Sequence, residues 1–119
     1  MKIAIGGQLN KREIKSYIDQ HAPAGVSCDI FTDMDAAMKV KTGEYDYYVG
    51  ACQSGAGGAL AMAYALLGQD SCVTIGMAGL PPTEEKVIDG FNRGCKAFGF
   101  TNDQVESAMA LFLKCVPGL

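Results

Sequence analysis

Several patterns that would assign a function outright are missing from this chain. The five cysteines (Cys28, Cys52, Cys72, Cys95 and Cys115) are odd in number, widely spaced and contain no C-x-x-C pair. That spacing suits neither a structural zinc site nor a disulfide framework, so reduced thiols are expected and no metal. There is one histidine, His21, and it falls at the end of an early helix, where a helix-terminus cation is the ordinary role. The longest apolar stretch, Gly57 to Gly68, holds about 12 residues against the roughly 20 that a membrane span needs, so no membrane insertion is expected. No signal-peptide pattern opens the chain, which sets the expectation of a cytoplasmic protein. Basic residues do not dominate: the net charge is −3, and Lys11, Arg12 and Lys15 are interrupted by Glu13, which argues against nucleic-acid binding.

What is present is globular in character. The chain has 119 residues, 49% of them hydrophobic and 19% charged, the size of one domain and too short for two independent cores. A single α/β domain over residues 1–119 is therefore expected.

Strand and helix signals alternate five times. Lys2 to Gly6 reads as a buried strand, and Asn10 to about His21 as a helix with Ile14, Tyr17 and Ile18 on one face. Asn10 followed by Glu13 resembles a capping box. Val26 to Phe31 alternates as a second strand. Asp33 to about Lys41 forms a helix with Met34, Ala37, Met38 and Lys41 on one side, stopped at Gly43. Tyr45 to Ala51 is a third strand, with Tyr45 and Tyr47 on one face and Tyr48 on the other. Gly57 to Leu67 is a third helix, apolar all round. Such a helix is covered on every side, by its own domain or by a second subunit, which makes a homodimer the expectation. Cys72 to Gly76 is a fourth strand. Thr83 caps a helix that begins Glu84-Glu85, and Lys96 to Phe100 is a weaker fifth strand. Thr101 and Gln104 form a capping box for a last helix that reaches about Cys115.

Alternation of this kind predicts an open three-layer α/β/α sandwich on a five-stranded parallel sheet, Rossmann-like or flavodoxin-like, in the order 2-1-3-4-5. Ligands of such sheets bind beyond the carboxyl ends of the strands, at the switch point between the first and third. That rule selects Gly6-Gly7-Gln8-Leu9 after the first strand and Cys52-Gln53-Ser54-Gly55-Ala56-Gly57-Gly58 after the third. Glycines allow a ligand to approach the backbone, and the helix that follows opens with unpaired N–H groups and positive dipole. Ser54 adds a hydroxyl, so an anion can be held without a basic side chain. No Lys-Ser/Thr follows, as a nucleotide phosphate loop requires, and the glycines stand at 55, 57 and 58 after the wrong strand for a dinucleotide fingerprint. No nucleotide and no other cofactor is therefore expected. Cys52, at a strand end ahead of a helix, is placed for a thiolate base or nucleophile. Gly76, Gly79 and Thr101, on the loops after the fourth and fifth strands, complete the rim of the candidate site.

From Met1-Lys2-Ile3-Ala4-Ile5-Gly6-Gly7-Gln8 through Tyr47-Tyr48-Val49-Gly50-Ala51-Cys52 and Gly55 to Ala63 to Lys96-Ala97-Phe98-Gly99-Phe100-Thr101, the chain resembles the YhfU-like family of small bacterial proteins of unknown function. A second, partial resemblance is to the type B ribose-5-phosphate isomerases, carried by Ile3 to Gly6 and Cys52-Gln53-Ser54-Gly55-Ala56-Gly57. That resemblance implies a five-stranded parallel sheet, a cysteine base after the third strand, and glycine-loop amides around an enediolate. Cys52, Ser54, Gly55 and Gly57 match the isomerase loop. Gln8-Leu9 stand where that family has Asp-His, Ala63 replaces its helical asparagine, and its ring-opening histidine and phosphate arginines have no counterpart.

The expected function is the binding of a small anionic metabolite, sugar-like and phosphorylated included, at the loop of residues 52–58. The alternatives are an isomerase- or lyase-type enzyme with Cys52 as base, and a regulatory or adaptor subunit that docks on a partner protein through the third helix.

Overall fold

The computed structural model describes residues 1–53 and 58–118. Five strands, β1 (Lys2–Gly7), β2 (Ser27–Ile30), β3 (Tyr47–Cys52), β4 (Cys72–Thr74) and β5 (Ala97–Thr101), form one sheet, and every pairing in it is parallel. Five helices connect or follow them: α1 (Lys11–His21), α2 (Asp33–Lys41), α3 (Ala61–Leu67), α4 (Glu84–Asn92) and α5 (Val105–Cys115). The α/β class is as the alternation predicts.

The strand order is not. The sheet runs β2-β1-β3-β5-β4, with the fifth strand inserted between the third and fourth, where 2-1-3-4-5 was expected. The reason lies in how much each strand can bury. All five residues of β5 are buried, and a strand of that kind needs a neighbour on both edges; β4 has only three residues and a half-buried face, which suits an edge. Gly99, which weakens β5 as a sequence signal, is what its position requires. A Cβ there would lie 2.7 Å from Leu60 Cγ, so only glycine lets the chain after β3 cross closely over the sheet.

Strand alternation divides the core into two layers. Ile3, Ile5, Val49, Phe98 and Phe100 meet Ile14 and Ile18 of α1, Val87 of α4, and Ala108, Met109 and Phe112 of α5 on one side. Tyr47, Phe91, Phe98 and Phe112 pack there as an aromatic group with edge-on contacts. On the other side Ala4, Tyr48 and Ala97 meet Ala36, Ala37 and Val40 of α2 and Leu60 and Ala63 around α3.

Three local expectations change. The inward stripe of α2 is Ala36, Ala37 and Val40, while Met34 and Met38 are 56% and 40% exposed: small residues let the helix lie close to the sheet, and the long side chains point away. Tyr45 precedes β3 and packs with Tyr48, not with Tyr47. The third helix is shorter than expected, and Ala63 is its one buried residue, so it is an outer helix and not an enclosed one.

Candidate functional site

The carboxyl ends of β1 and β3 meet where the switch-point rule places a ligand. Gly7 has φ 77° and would bring a Cβ to 2.7 Å from the Ala51 amide nitrogen, so glycine is obligatory in this turn. The amides of Gln8 and Leu9 both donate to the Ala51 carbonyl, at 2.9 and 3.1 Å, which folds the loop after β1 back over the end of β3. Gln8 itself is exposed, with its side chain turned toward the other loop. A Cβ on Gly58 would sit 3.2 Å from Gln8 Oε1 and 3.5 Å from Cys52 Cβ. Gln8, Cys52 and Gly58 therefore share one small space.

Cys52 is 1% exposed and pairs in register with Thr101 at the end of β5. Both lie on the face of the sheet that carries Leu60, because Phe98 and Phe100 alternate to the other face and Gly99 lies beneath Leu60. The structure thus brings together Gly6, Gly7, Gln8, Cys52, Gly58 and Thr101. Gln53 follows Cys52 and is exposed; Ser54, Gly55, Ala56 and Gly57, the remainder of the expected cradle, lie outside the described residues.

Gly76 and Gly79 stand further off, because the strand order puts β4 at the edge. A side chain on Gly76 would collide with Gln104 Oε1 and Pro82, so this glycine makes room for packing. Gly79 has φ 75° in the exposed turn closed by reciprocal bonds between Met77 and Leu80. Turn geometry accounts for it.

The expected Thr101–Gln104 capping box does not form. A 3-10 turn, Asn102–Gln104, intervenes before α5, and neither side chain caps it. Thr101 Oγ1 and Gln104 Oε1 are left buried without a hydrogen-bond partner. Asn10 likewise makes no cap; it has φ 57° and its amide donates to Glu13 Oε1 at 2.9 Å and to the Asn102 carbonyl at 3.3 Å, tying the loops after β1 and β5 together.

Tyr48 is the residue that pattern reasoning passed over as packing. It is wholly buried, and its hydroxyl accepts from the Gly7 amide at 2.8 Å while lying 2.6 Å from the Ala59 carbonyl and 3.2 Å from Asp33 Oδ1. One proton serves two acceptors, and the shorter contact to Ala59 takes it. Burial, then the nearby Asp33 carboxylate, raises the phenol far above its usual range, with the Gly7 amide acting the other way. A tyrosine inside a fully buried strand must find partners for its hydroxyl, and that was the signal available in the sequence.

A cleft of about 660 Å³ opens elsewhere, between α1 and α5, lined by Glu13, Tyr17, His21, Glu106 and neighbouring side chains. It is a groove between two exposed helix surfaces. The strand ends bring Gln8, Cys52 and Gly58 into one small space, with Thr101 beside Cys52 in register, and they are the candidate site that the switch-point rule selects. His21 stacks on Tyr17 with ring centroids 4.0 Å apart and lies 2.9 Å from the Tyr17 carbonyl through Nδ1, as a residue of the helix end. Among the described residues no cluster of acidic, histidine or cysteine side chains has metal-binding geometry, and no helix is long and apolar enough to cross a membrane.

Comparison with known proteins agrees with this arrangement at the level of fold. The crystal structure of ribose-5-phosphate isomerase B from Giardia lamblia superposes with a TM-score of 0.70 over 95% of this chain and 94% of that one, at 18% identity. At that identity the likeness concerns the fold alone. The uncharacterized proteins YhfU of Escherichia coli strain K12 and of Shigella flexneri are each 39% identical over 112 residues, 94% of this chain and 95% of theirs. A family model described as a protein of unknown function, DUF2620, matches residues 1–116. With nearly the whole chain matched in both comparisons, the protein belongs to the DUF2620 family, together with the YhfU proteins.

Proposed function

We propose that this protein binds a small anionic metabolite, sugar-like and with phosphorylated forms included, at the carboxyl ends of β1, β3 and β5, in the cytoplasm and as a homodimer. The observation that carries the reading is the convergence of Gln8, Cys52 and Gly58 within contact distance at the switch point. Gly58 opens the turn that leads into α3, and the loop ahead of it carries glycines at 55 and 57 and no basic residue. Backbone amides, and not side-chain charge, are the natural holders of an anion there. The printed name of the Giardia protein, an isomerase of ribose 5-phosphate, supports sugar phosphates as the first ligands to try. The exposed Met34 and Met38 of α2, and the half-buried Met62, Tyr64 and Leu66 of α3, which packs on α2, support the dimer.

The test is a thermal-shift screen of wild type and Ser54→Ala against phosphorylated sugars, sugar acids and inorganic phosphate. A ligand at about 100 times its Kd adds about 2.7 kcal/mol, several degrees in a domain of this size. A shift weakened by Ser54→Ala supports the site, and no shift with any anion overturns it.

The position of Cys52 favours a second reading, an isomerase- or lyase-type enzyme in which its thiolate abstracts a proton from the bound metabolite. Cys52→Ser that keeps ligand binding and loses turnover is the expected result for that reading; unchanged turnover ends it.

A further inference from the structure

The cleft between α1 and α5 carries charge of one sign. Lys11 and Lys15 of α1 both turn toward β2: the Lys11 ammonium donates to the Phe31 carbonyl at 2.8 Å, and that of Lys15 to the Cys28 carbonyl at 2.9 Å while pairing with Asp19 at 3.3 Å. Glu13 of α1 and Glu106 of α5 line the cleft instead. Among the described residues neither glutamate is in an ion pair, and none of those lining the cleft is lysine or arginine. The helix dipole favours a glutamate in each first turn, but it supplies no partner for two of them at one opening.

The cleft has a shape as well as a charge. The Asn10 amide donates to the Asn102 carbonyl at 3.3 Å and draws the starts of α1 and α5 together, so Glu13 and Glu106 stand at the same end. Val105, 1% exposed, and Tyr17, packed on the core, give the cleft an apolar wall. At the far end the His21 ring lies on that of Tyr17, with Nδ1 2.9 Å from the Tyr17 carbonyl. A carbonyl only accepts, so Nδ1 carries the proton and Nε2 is the acceptor of the neutral ring. The volume, about 660 Å³, is that of a small-molecule site.

We infer that this cleft binds a linear aliphatic polyamine, with one ammonium group at Glu13 and Glu106, the methylene chain along Tyr17 and Val105, and a further amine at His21. The carboxylates match the charge, and the apolar wall takes the stem as it would that of a lysine. Glu13 to His21 is about 12 Å along α1, and an extended triamine of spermidine's length covers about 11 Å at the pitch of a saturated chain. A bare metal ion fits less well, because among the described residues no three acidic, histidine or cysteine groups converge. A sugar phosphate is repelled from two unpaired carboxylates, so the cleft and the strand ends take different ligands.

Spermidine, putrescine and propylamine are titrated calorimetrically into the intact chain at low ionic strength, with Glu106→Gln, Glu85→Gln and His21→Ala alongside. Glu85 is exposed in the first turn of α4, outside the cleft, so Glu85→Gln removes the same charge from an equivalent helix position. Wild type is expected to bind spermidine best and propylamine least. Glu106→Gln is expected to weaken spermidine by about three- to tenfold, between the worth of an exposed ion pair and of a hydrogen bond to a charged group. Glu85→Gln is expected to weaken it by about twofold or less, and His21→Ala to abolish the preference for spermidine over putrescine. In wild type, amide NMR shifts with spermidine are expected at Ser16, Tyr17 and Ser107. Equal weakening by the two glutamine variants overturns the inference, because the general field of an acidic protein would then account for binding. So do shifts outside α1 and α5, or no binding of spermidine to wild type. The NMR mapping uses wild type alone and decides the question even where a variant unfolds.

Discussion

Tyr48 and Gly7 show how single residues hold the candidate site in shape. The Tyr48 hydroxyl is a pin between the loop after β1 and the segment that follows β3, through Gly7 and Ala59. Tyr48→Phe leaves a buried amide and a buried carbonyl unpaired and is expected to destabilise the fold by about 2–4 kcal/mol, read from urea denaturation midpoints. Loss of less than about 0.5 kcal/mol would show that water takes over both bonds. Gly7→Ala combines a φ of 77° with a backbone clash against Ala51. It is expected to cost more than the about 1 kcal/mol of a simple glycine replacement and to lower anion affinity with it. At this scale the placement of the candidate residues was partly legible: the switch-point rule selects Gly6, Gly7, Gln8, Cys52 and Gly58, Thr101 is expected on the rim, and the strand ends bring these six near one another. Tyr48 did not, because period-two alternation says which face a side chain takes and nothing of where its hydroxyl finds a partner.

Among the elements, β5 and α3 are the instructive pair. Five strand-then-helix units can be read from hydrophobic runs punctuated by Gly, Pro and capping residues, and all five appear. Lateral order cannot be read so directly, because the crossover rule fixes handedness but leaves β4 and β5 free to exchange places. Complete burial of Ala97–Thr101 decides it. Gly99→Ala is accordingly expected to destabilise by about 1–3 kcal/mol, since the new methyl must displace Leu60, whereas Gly94→Ala meets no neighbour and is strained only by its φ of 80°. A Gly99→Ala protein as stable as wild type would mean that Leu60 does not lie on β5. The apolar sequence of α3 misled in the opposite way: small alanines read as a buried helix, yet alanine is tolerated at a surface, and the exposed Ala61 and Ala65 show this.

Over the whole molecule, buried thiols and phenols set how stability responds to pH. Burial pushes the Cys28 and Cys72 thiols up from 9.0 to about 11, and the hydrogen bond to Asp29 pushes the Tyr45 phenol up to about 12. Between pH 9 and about 11 the unfolded chain releases these thiol protons while the folded chain keeps them, so release favours unfolding. Stability is expected to be full below pH 9 and to fall steadily toward about pH 11, with a shallower fall in Cys72→Ala. Denaturant midpoints across this range that stay flat would contradict the burial of these groups.

The same whole-molecule view separates two places where a ligand could sit, the strand ends and the cleft between α1 and α5. An amide NMR titration with ribose 5-phosphate distinguishes them most directly. The account predicts shifts concentrated at Gly7, Gln8, Gly58 and Thr101, with Ser16, His21 and Ser107 unmoved. Shifts that gather on α1 and α5, or shifts nowhere, would contradict the assignment of the carboxyl ends of β1, β3 and β5 as the binding site.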